Sequence, residues 1–537
     1  MLTGRFRWGA LATLAFAGLL AALTLVPSGA SAHHRRHHKK PHRKPHRRRR
    51  VGHRAIPRAD PSRPNIVFVL TDDLSMNLLQ YMPTVEAMQR QGMTFDNYFV
   101  SDSLCCPSRA SIFTGNFPHD TGVYTNAGRH GGFNQFYARG EEQHTFARAL
   151  QSAGYRTAMM GKYLNGYMSA KGRFSVAPAT YVPPGWNQWD VAGWGYPEFH
   201  YVLNENGRLQ PYGDQPSDYL TDVLSAKATN FIDTSAGAHQ PFFLEMATFA
   251  PHRPYTPAPR NRDDFPGLRV PQTASFNRLP INAPGWLAHR QPLDAAQIDH
   301  IDRAYRKRAQ SVEAVDAMLS QIEGTLQADG IADNTYVVFS SDNGLHMGEY
   351  RLMPGKETAF DTDVHVPLIV TGPGVPAGVS TDSMAENIDL AKTFAQLGGT
   401  DLASDGHSLL PLLNGNAPIG WRNAILIEHH HPPSSSGDPD FQGPGSGNPP
   451  SYEAMRTPDF LYVEYATGAR ELYDLRIDPS ELDNLAPYLS SGELAQFHSA
   501  LVQMEACHGS AACWAAMHVT PATGAAVGRA RARAARP

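Results

Sequence analysis

Cysteine is scarce in this chain: four residues in 537, present as the adjacent pair Cys105 and Cys106 and the close pair Cys507 and Cys513. So few cysteines cannot staple a molecule of this length, so its fold must rest on a buried apolar core. A composition that is 42% hydrophobic and 10% aromatic supplies one. Adjacent cysteines rarely bond each other, because disulfide geometry is hard to reach across a single peptide unit. Cys507 and Cys513 remain as partners for a short loop staple, and spacing alone leaves that pairing open.

Long apolar runs are also lacking. The one candidate spans residues 10–26, preceded by Arg5 and Arg7, broken by Pro27 and followed by Ala30-Ser31-Ala32. That order describes a cleaved secretory signal over 1–32, with a retained anchor as the alternative because the run nears the lower length for a membrane span. No other segment is long and apolar enough to cross a bilayer. Acid is missing from residues 1–54, where 13 Arg or Lys occur. Residues 33–54 alone hold eleven Arg or Lys and seven His, a composition that buries nothing. Residues 33–61 therefore read as a solvated linker, open to contact with a cell-surface polyanion. The remainder carries 34 basic and 50 acidic residues, a net −16 hidden behind the overall −3. An acidic body excludes nucleic-acid binding by the global field, and an anionic substrate must be drawn by a local cationic cluster. The Arg/Ala tail 521–537 reads as disordered.

Within the body, short continuous apolar runs alternate with helical patterns. Residues 65–70, 157–160, 241–248 and 335–340 read as buried strands. Residues 85–92, 145–154, 220–232 and 296–326 read as helices. That alternation predicts an α/β sandwich with a mostly parallel central sheet over 62–415. A Pro/Gly/Ser-rich loop follows at 432–451, and strand-like pieces at 460–465 and 471–475 predict a small antiparallel C-terminal subdomain over 416–520. No internal repeat is present.

Two acidic pairs follow predicted strands, Asp72-Asp73 and Asp342-Asn343. Ligands of open α/β sheets gather at the carboxyl ends of strands. Three carboxylates and an amide oxygen suit a hard cation, Ca²⁺ or Mg²⁺ rather than zinc. Alone, an Asp-Asp pair after a strand is usually a cap or a turn.

Cys105-Cys106-Pro107-Ser108-Arg109, running on to Thr114-Gly115, reads as Cys-x-Pro-Ser-Arg followed by Thr-Gly. It resembles the active-site signature of the type I sulfatases, an alkaline phosphatase-like fold. Arg470-Glu471-Leu472-Tyr473-Asp474-Leu475 and Asp405-Gly406-His407-Ser408-Leu409-Leu410-Pro411 resemble further segments of that family, so the likeness spans roughly 64–485. The resemblance implies that a maturation enzyme oxidises Cys105 to formylglycine, whose hydrated aldehyde is the nucleophile. It also implies that Asp72, Asp73, Asp342, Asn343 and the modified Cys105 hold a metal, and it selects Ca²⁺ over Mg²⁺. Lys162, His252 and Lys356 resemble the family's cationic and acid–base residues, and Arg109 would hold the modified residue in place. His252 or Lys356 would protonate the leaving alcohol. Many sulfatases have Lys-x-His where this chain has Lys162-Tyr163-Leu164, which leaves Asp342 or His346 as candidates for the remaining proton. The Gly-Lys-Tyr-Leu-Asn form is similar to N-acetylglucosamine-6-sulfatases and other glycosaminoglycan sulfatases, so a sulfated saccharide or an aryl sulfate is the implied substrate. Two readings compete: a formylglycine-dependent phosphate or phosphonate monoester hydrolase or phosphodiesterase of the same superfamily, and a non-catalytic polysaccharide-binding surface protein.

Overall fold

The computed structural model describes residues 63–168, 175–431, 441–443 and 445–536. The expected signal at 1–32, the expected linker at 33–61 and part of the expected loop (432–440 and 444) lie outside the described residues. Asn65–Thr71 is a fully buried strand because its side chains are apolar on both faces. Ile66, Phe68 and Leu70 enter one hydrophobic layer with Phe113, Phe146 and Phe394. Val67 and Val69 enter the opposite layer, with Leu224 and Phe231 of the helix Leu220–Gly237 and Val312 and Leu319 of Ala295–Ala328. The long helix starts at Asp294, whose carboxylate accepts from the Gln297 amide while Gln297 reaches back, a reciprocal cap.

These strands belong to a ten-stranded sheet. Its centre runs Thr335–Ser341, Asn65–Thr71, Phe242–Ala247, Arg156–Lys162 and Gln188–Ala192, all parallel to their neighbours. Both flanks turn antiparallel, through Leu368–Thr371 on one side and Val202–Glu205 on the other. The C-terminal region holds a separate four-stranded antiparallel sheet, Ile425–His429, Tyr452–Arg456, Phe460–Tyr465 and Arg470–Asp474. Cys507 and Cys513 form a disulfide beside it. No helix among the described residues is long and apolar enough to cross a membrane.

The tail differs from expectation. Pro521–Ala534 is a helix, not a disordered segment. Ala526, Val527 and Ala530 give it an apolar stripe that is buried against Leu472, Phe497 and Leu501. Arg529 and Arg533 pair with Glu493, and Arg531 with Asp474. An Arg/Ala composition suggests an unstructured tail only when its alanine spacing is ignored.

Candidate active site

The five central strands all end at one edge, and four of them deliver chemistry there. Thr71 leads into Asp72 and Asp73, Lys162 closes its own strand, Ala247 leads to His252, and Ser341 leads to Asp342 and Asn343. Asp73 has φ 66°, a left-handed conformation unusual for a residue with a Cβ, and such strain persists only where surroundings enforce it. Here the Asp73 amide donates to Asp342 Oδ1 at 3.2 Å, and the Leu74 amide donates to Ser341 Oγ at 2.9 Å.

Cys105 opens the helix Cys105–Thr114, every residue of which is buried. Its helix N-terminus favours a partial negative charge on the side chain. The Cys106 amide is satisfied by Asn126 Oδ1 at 2.9 Å. The Cys105 Sγ lies 3.2 Å from Asp72 Oδ1 and accepts from Lys356 Nζ at 2.8 Å. Cys106, the adjacent thiol, instead belongs to the hydrophobic layer with Phe113. One turn on, Arg109 shares the face of Cys105. Its Nε donates to Asp342 Oδ2 at 2.7 Å and its Nη1 to the Lys162 carbonyl at 2.9 Å, with Nη2 4.0 Å from Asp72 Oδ1. The guanidinium thus ties three strand ends together beneath the cysteine.

Lys162 Nζ donates to Asp72 Oδ2 and Lys356 Nζ to Asp73 Oδ1, both at 2.6 Å. Burial alone would lower Lys162, but the Asp72 carboxylate and Cys105 hold its ammonium well above the ordinary lysine value. Burial pushes Asp72 up to about 6 against the pull of Lys162. Burial would raise Asp342 too, yet Arg109, Lys162 and Lys356 outweigh it and hold that carboxyl down at about 2. Three carboxylates face three cations, so the cluster is close to neutral as it stands. His252 Nδ1 lies 2.7 Å from the Arg253 carbonyl, so it carries the proton there, and Nε2 points toward Asp73 Oδ2 at 3.6 Å.

The donor set could hold a metal ion. Oxygen atoms of Asp72 and Asp73, Cys105 Sγ and a His252 ring nitrogen all lie within 4.8 Å of one another. Asn343 Nδ2 donates to Asp73 Oδ1 and the Gly344 carbonyl, which fixes the amide, and leaves its buried Oδ1 with no hydrogen-bond partner among the described residues. An orphaned buried acceptor costs about 1–3 kcal/mol unless something occupies it. Asp342 is not in that close group, and its oxygens accept from Arg109 and the Asp73 amide.

All the residues singled out from the sequence therefore converge, with two refinements. His346 Nδ1 faces Asp363 and Nε2 faces the Ser446 carbonyl, at 3.0 and 2.8 Å; burial would lower the imidazole, but Asp363 outweighs it and raises it above the ordinary histidine value, which makes it a poor base. Leu164 packs in the core. Sequence reasoning missed Tyr196, whose ring lies 4.6 Å from His252 and 5.1 Å from the Lys162 ammonium. The available signal was the Gly193-Trp194-Gly195-Tyr196 segment just past a strand.

A model of the family described as Sulfatase matches residues 64–400, and one described as N-sulphoglucosamine sulphohydrolase, C-terminal, matches residues 348–506. The chain is 33% identical over 480 residues to N-acetylglucosamine-6-sulfatase of Homo sapiens, covering 84% of this chain and 86% of that protein. Among solved structures, one in complex with its substrate D-glucosamine-2-N,6-O-disulfate superposes with TM-score 0.67 at 23% identity, covering 82% of this chain and 97% of that one. A phosphonate monoester hydrolase from Silicibacter pomeroyi superposes with TM-score 0.60 at 22% identity, covering 82% and 94%. Both likenesses concern the fold, an alkaline phosphatase-like sandwich.

Proposed function

The chain belongs to the sulfatase family and is a sulfuric ester hydrolase, and from that premise we propose that it is a secreted, calcium-dependent enzyme acting on saccharide 6-sulfates of the N-acetylglucosamine type. The observation that carries the site assignment is Cys105, held at a buried helix N-terminus between Asp72 and Lys356. The substrate follows the printed activity of the human relative, and secretion follows the leading segment 1–32.

Oxidised to formylglycine, residue 105 would supply a hydrated aldehyde as nucleophile in place of the thiol. Asp72, Asp73 and Asn343 would hold Ca²⁺, with Asp342 alongside, and the ion would supply Lewis-acid charge at the reacting oxygens. This chain's own groups do the rest. Because the cluster is already near neutral, a bound dication leaves a surplus of positive charge that favours an anionic ester. Lys162 and Lys356 then stabilise negative charge on the sulfo oxygens, preorganised by their carboxylate partners. Arg109 is a positioning residue, since its hydrogen bonds go to strand ends. In its imidazolium form, with Nδ1–H on the Arg253 carbonyl and Nε2–H beside Asp73, His252 would give the Nε2 proton to the departing alcohol, while Lys356 faces residue 105.

The test is mass spectrometry of the peptide containing residue 105, alongside parallel assays on N-acetylglucosamine-6-sulfate and a matching phosphate ester. Modified protein that prefers the sulfate ester by orders of magnitude is expected. Cys105→Ala should abolish turnover while Cys106→Ala largely keeps it. An unmodified thiol in fully active protein, or a preference for the phosphate, would overturn the reading.

A further inference from the structure

We propose that Trp194 is a stacking platform for the pyranose ring of the substrate, and so determines the specificity of this site; the inference rests on the saccharide reading above. Trp194 follows the strand Gln188–Ala192, the parallel neighbour of the strand that ends in Lys162. It therefore leaves the sheet at the same edge as the catalytic groups. Its indole lies 5.2 Å from the ring of Tyr196, and Tyr196 in turn lies 4.6 Å from the imidazole of His252. These rings form an aromatic wall running outward from the reacting centre. Trp194 is its outermost member and is 48% exposed.

The loop that carries the indole is fixed on both sides. A Cβ added at Gly193 would stand 2.4 Å from the Cβ of Met168, and one at Gly195 would stand 2.4 Å from the ring of Phe249. Phe249 also packs on Tyr196, 5.0 Å between centroids. Close backbone packing on either side fixes the loop, and the indole rests edge-on against Tyr196, so little backbone ordering entropy is lost on binding. A half-exposed indole is an unfavourable use of the largest apolar side chain unless something covers it. A pyranose offers a suitable cover: its axial C–H bonds form one apolar face that meets the electron-rich ring, while its hydroxyls stay in water. A 6-sulfate hangs from an exocyclic carbon, which sets the sugar ring back from the reacting sulfur. A platform one ring removed from His252 matches that offset. A ring-free alkyl sulfate has nothing to place on it.

The experiment compares matured wild type, Trp194→Ala and Trp194→Phe on N-acetylglucosamine-6-sulfate and on a ring-free alkyl sulfate. In Trp194→Ala the ratio of kcat/KM for saccharide over alkyl ester is expected to fall about tenfold, through KM rather than kcat. Trp194→Phe, which restores an aromatic face, is expected to recover much of the ratio. A ratio unchanged in Trp194→Ala, or a loss shared equally by both esters, overturns the platform. Wild type that cleaves the alkyl sulfate but not the saccharide overturns the saccharide reading itself, and does so before any variant is compared.

Discussion

Asp342 and Glu245 are both fully buried carboxyl groups of the same sheet, and they have opposite fates. Asp342 sits at the carboxyl edge against Arg109, in a cluster that also holds Lys162 and Lys356, and is held down at about 2. Glu245 sits mid-strand, in register with Phe68 and Met159, and neither of its oxygens has a hydrogen-bond partner among the described residues. Burial pushes it up to about 8, with Arg109 as a weak counterweight. Asp102, three residues before Cys105, and Glu386 are likewise buried and are raised well above the usual range by that burial, although the Arg422 guanidinium stands 4.0 Å from Glu386. Burial is common to both sets; Asp342 differs in meeting three cations, one of them in a 2.7 Å hydrogen bond. An acid kept ionised inside the protein needs its charge answered nearby, and here that answer is concentrated where a cation and an anionic ester would bind.

Breaking the ionised set should cost most. Arg109→Met leaves Asp342 buried with its main partner gone, and a loss of about 3–5 kcal/mol in unfolding free energy is expected by denaturant titration. Lys356→Ala sharpens the distinction between stability and chemistry. It removes a charge aimed at the reacting group, so kcat should fall about 10²–10³-fold, with a smaller change in melting temperature than Arg109→Met gives. A Lys356→Ala enzyme with wild-type kcat would remove this lysine from the site's chemistry.

Glu245→Met tests the neutral set, and the sign is opposite. The unfolded carboxyl ionises near 4.5 and the folded one near 8. Between those values the folded state binds the extra proton, so wild-type stability falls as pH rises, by about 1.4 kcal/mol per unit at most. Methionine has no proton to keep, so the variant should gain on wild type across pH 5–8, read from melting temperatures. A parallel pair of curves would show that Glu245 has a hidden partner.

The ionised cluster was legible in the sequence because its members sit in short motifs at strand ends: Asp72-Asp73, Cys105 to Arg109, Asp342-Asn343. The central strands were legible too, since runs such as Ile66-Val67-Phe68-Val69-Leu70 are apolar on both faces. Glu245 was not, since one acid inside an apolar run says nothing of what lies across the layer. The tail helix was missed because its stripe of Ala526, Val527 and Ala530 is too small to register as amphipathic. The strands Ile425–His429 and Tyr452–Arg456 were overlooked for another reason: they pair across the Pro/Gly/Ser-rich segment that seemed to end the pattern. Arg109 carried its motif, but only the fold revealed that it ties strands rather than reaching outward.

The smallest effect comes from a group intermediate between the two sets. His119 is mostly buried, with Nδ1 3.0 Å from Glu428 and Nε2 2.9 Å from the Cys507 carbonyl, so it has the partner that Glu245 lacks. Burial would lower it, but the Glu428 carboxylate raises it to about 9. Its contribution to stability is fully present below the unfolded value near 6.5 and is lost as pH rises through about 9. Partial exposure weakens the pair, so a decline of about 1–2 kcal/mol over that window is expected. His119→Gln keeps hydrogen-bonding capacity without the charge and should flatten this decline alone. The Glu245 window ends near pH 8 and overlaps this one, so the His119 contribution is read alone only above pH 8. If His119→Gln left the decline above pH 8 intact, the Glu428 pairing would not be its source.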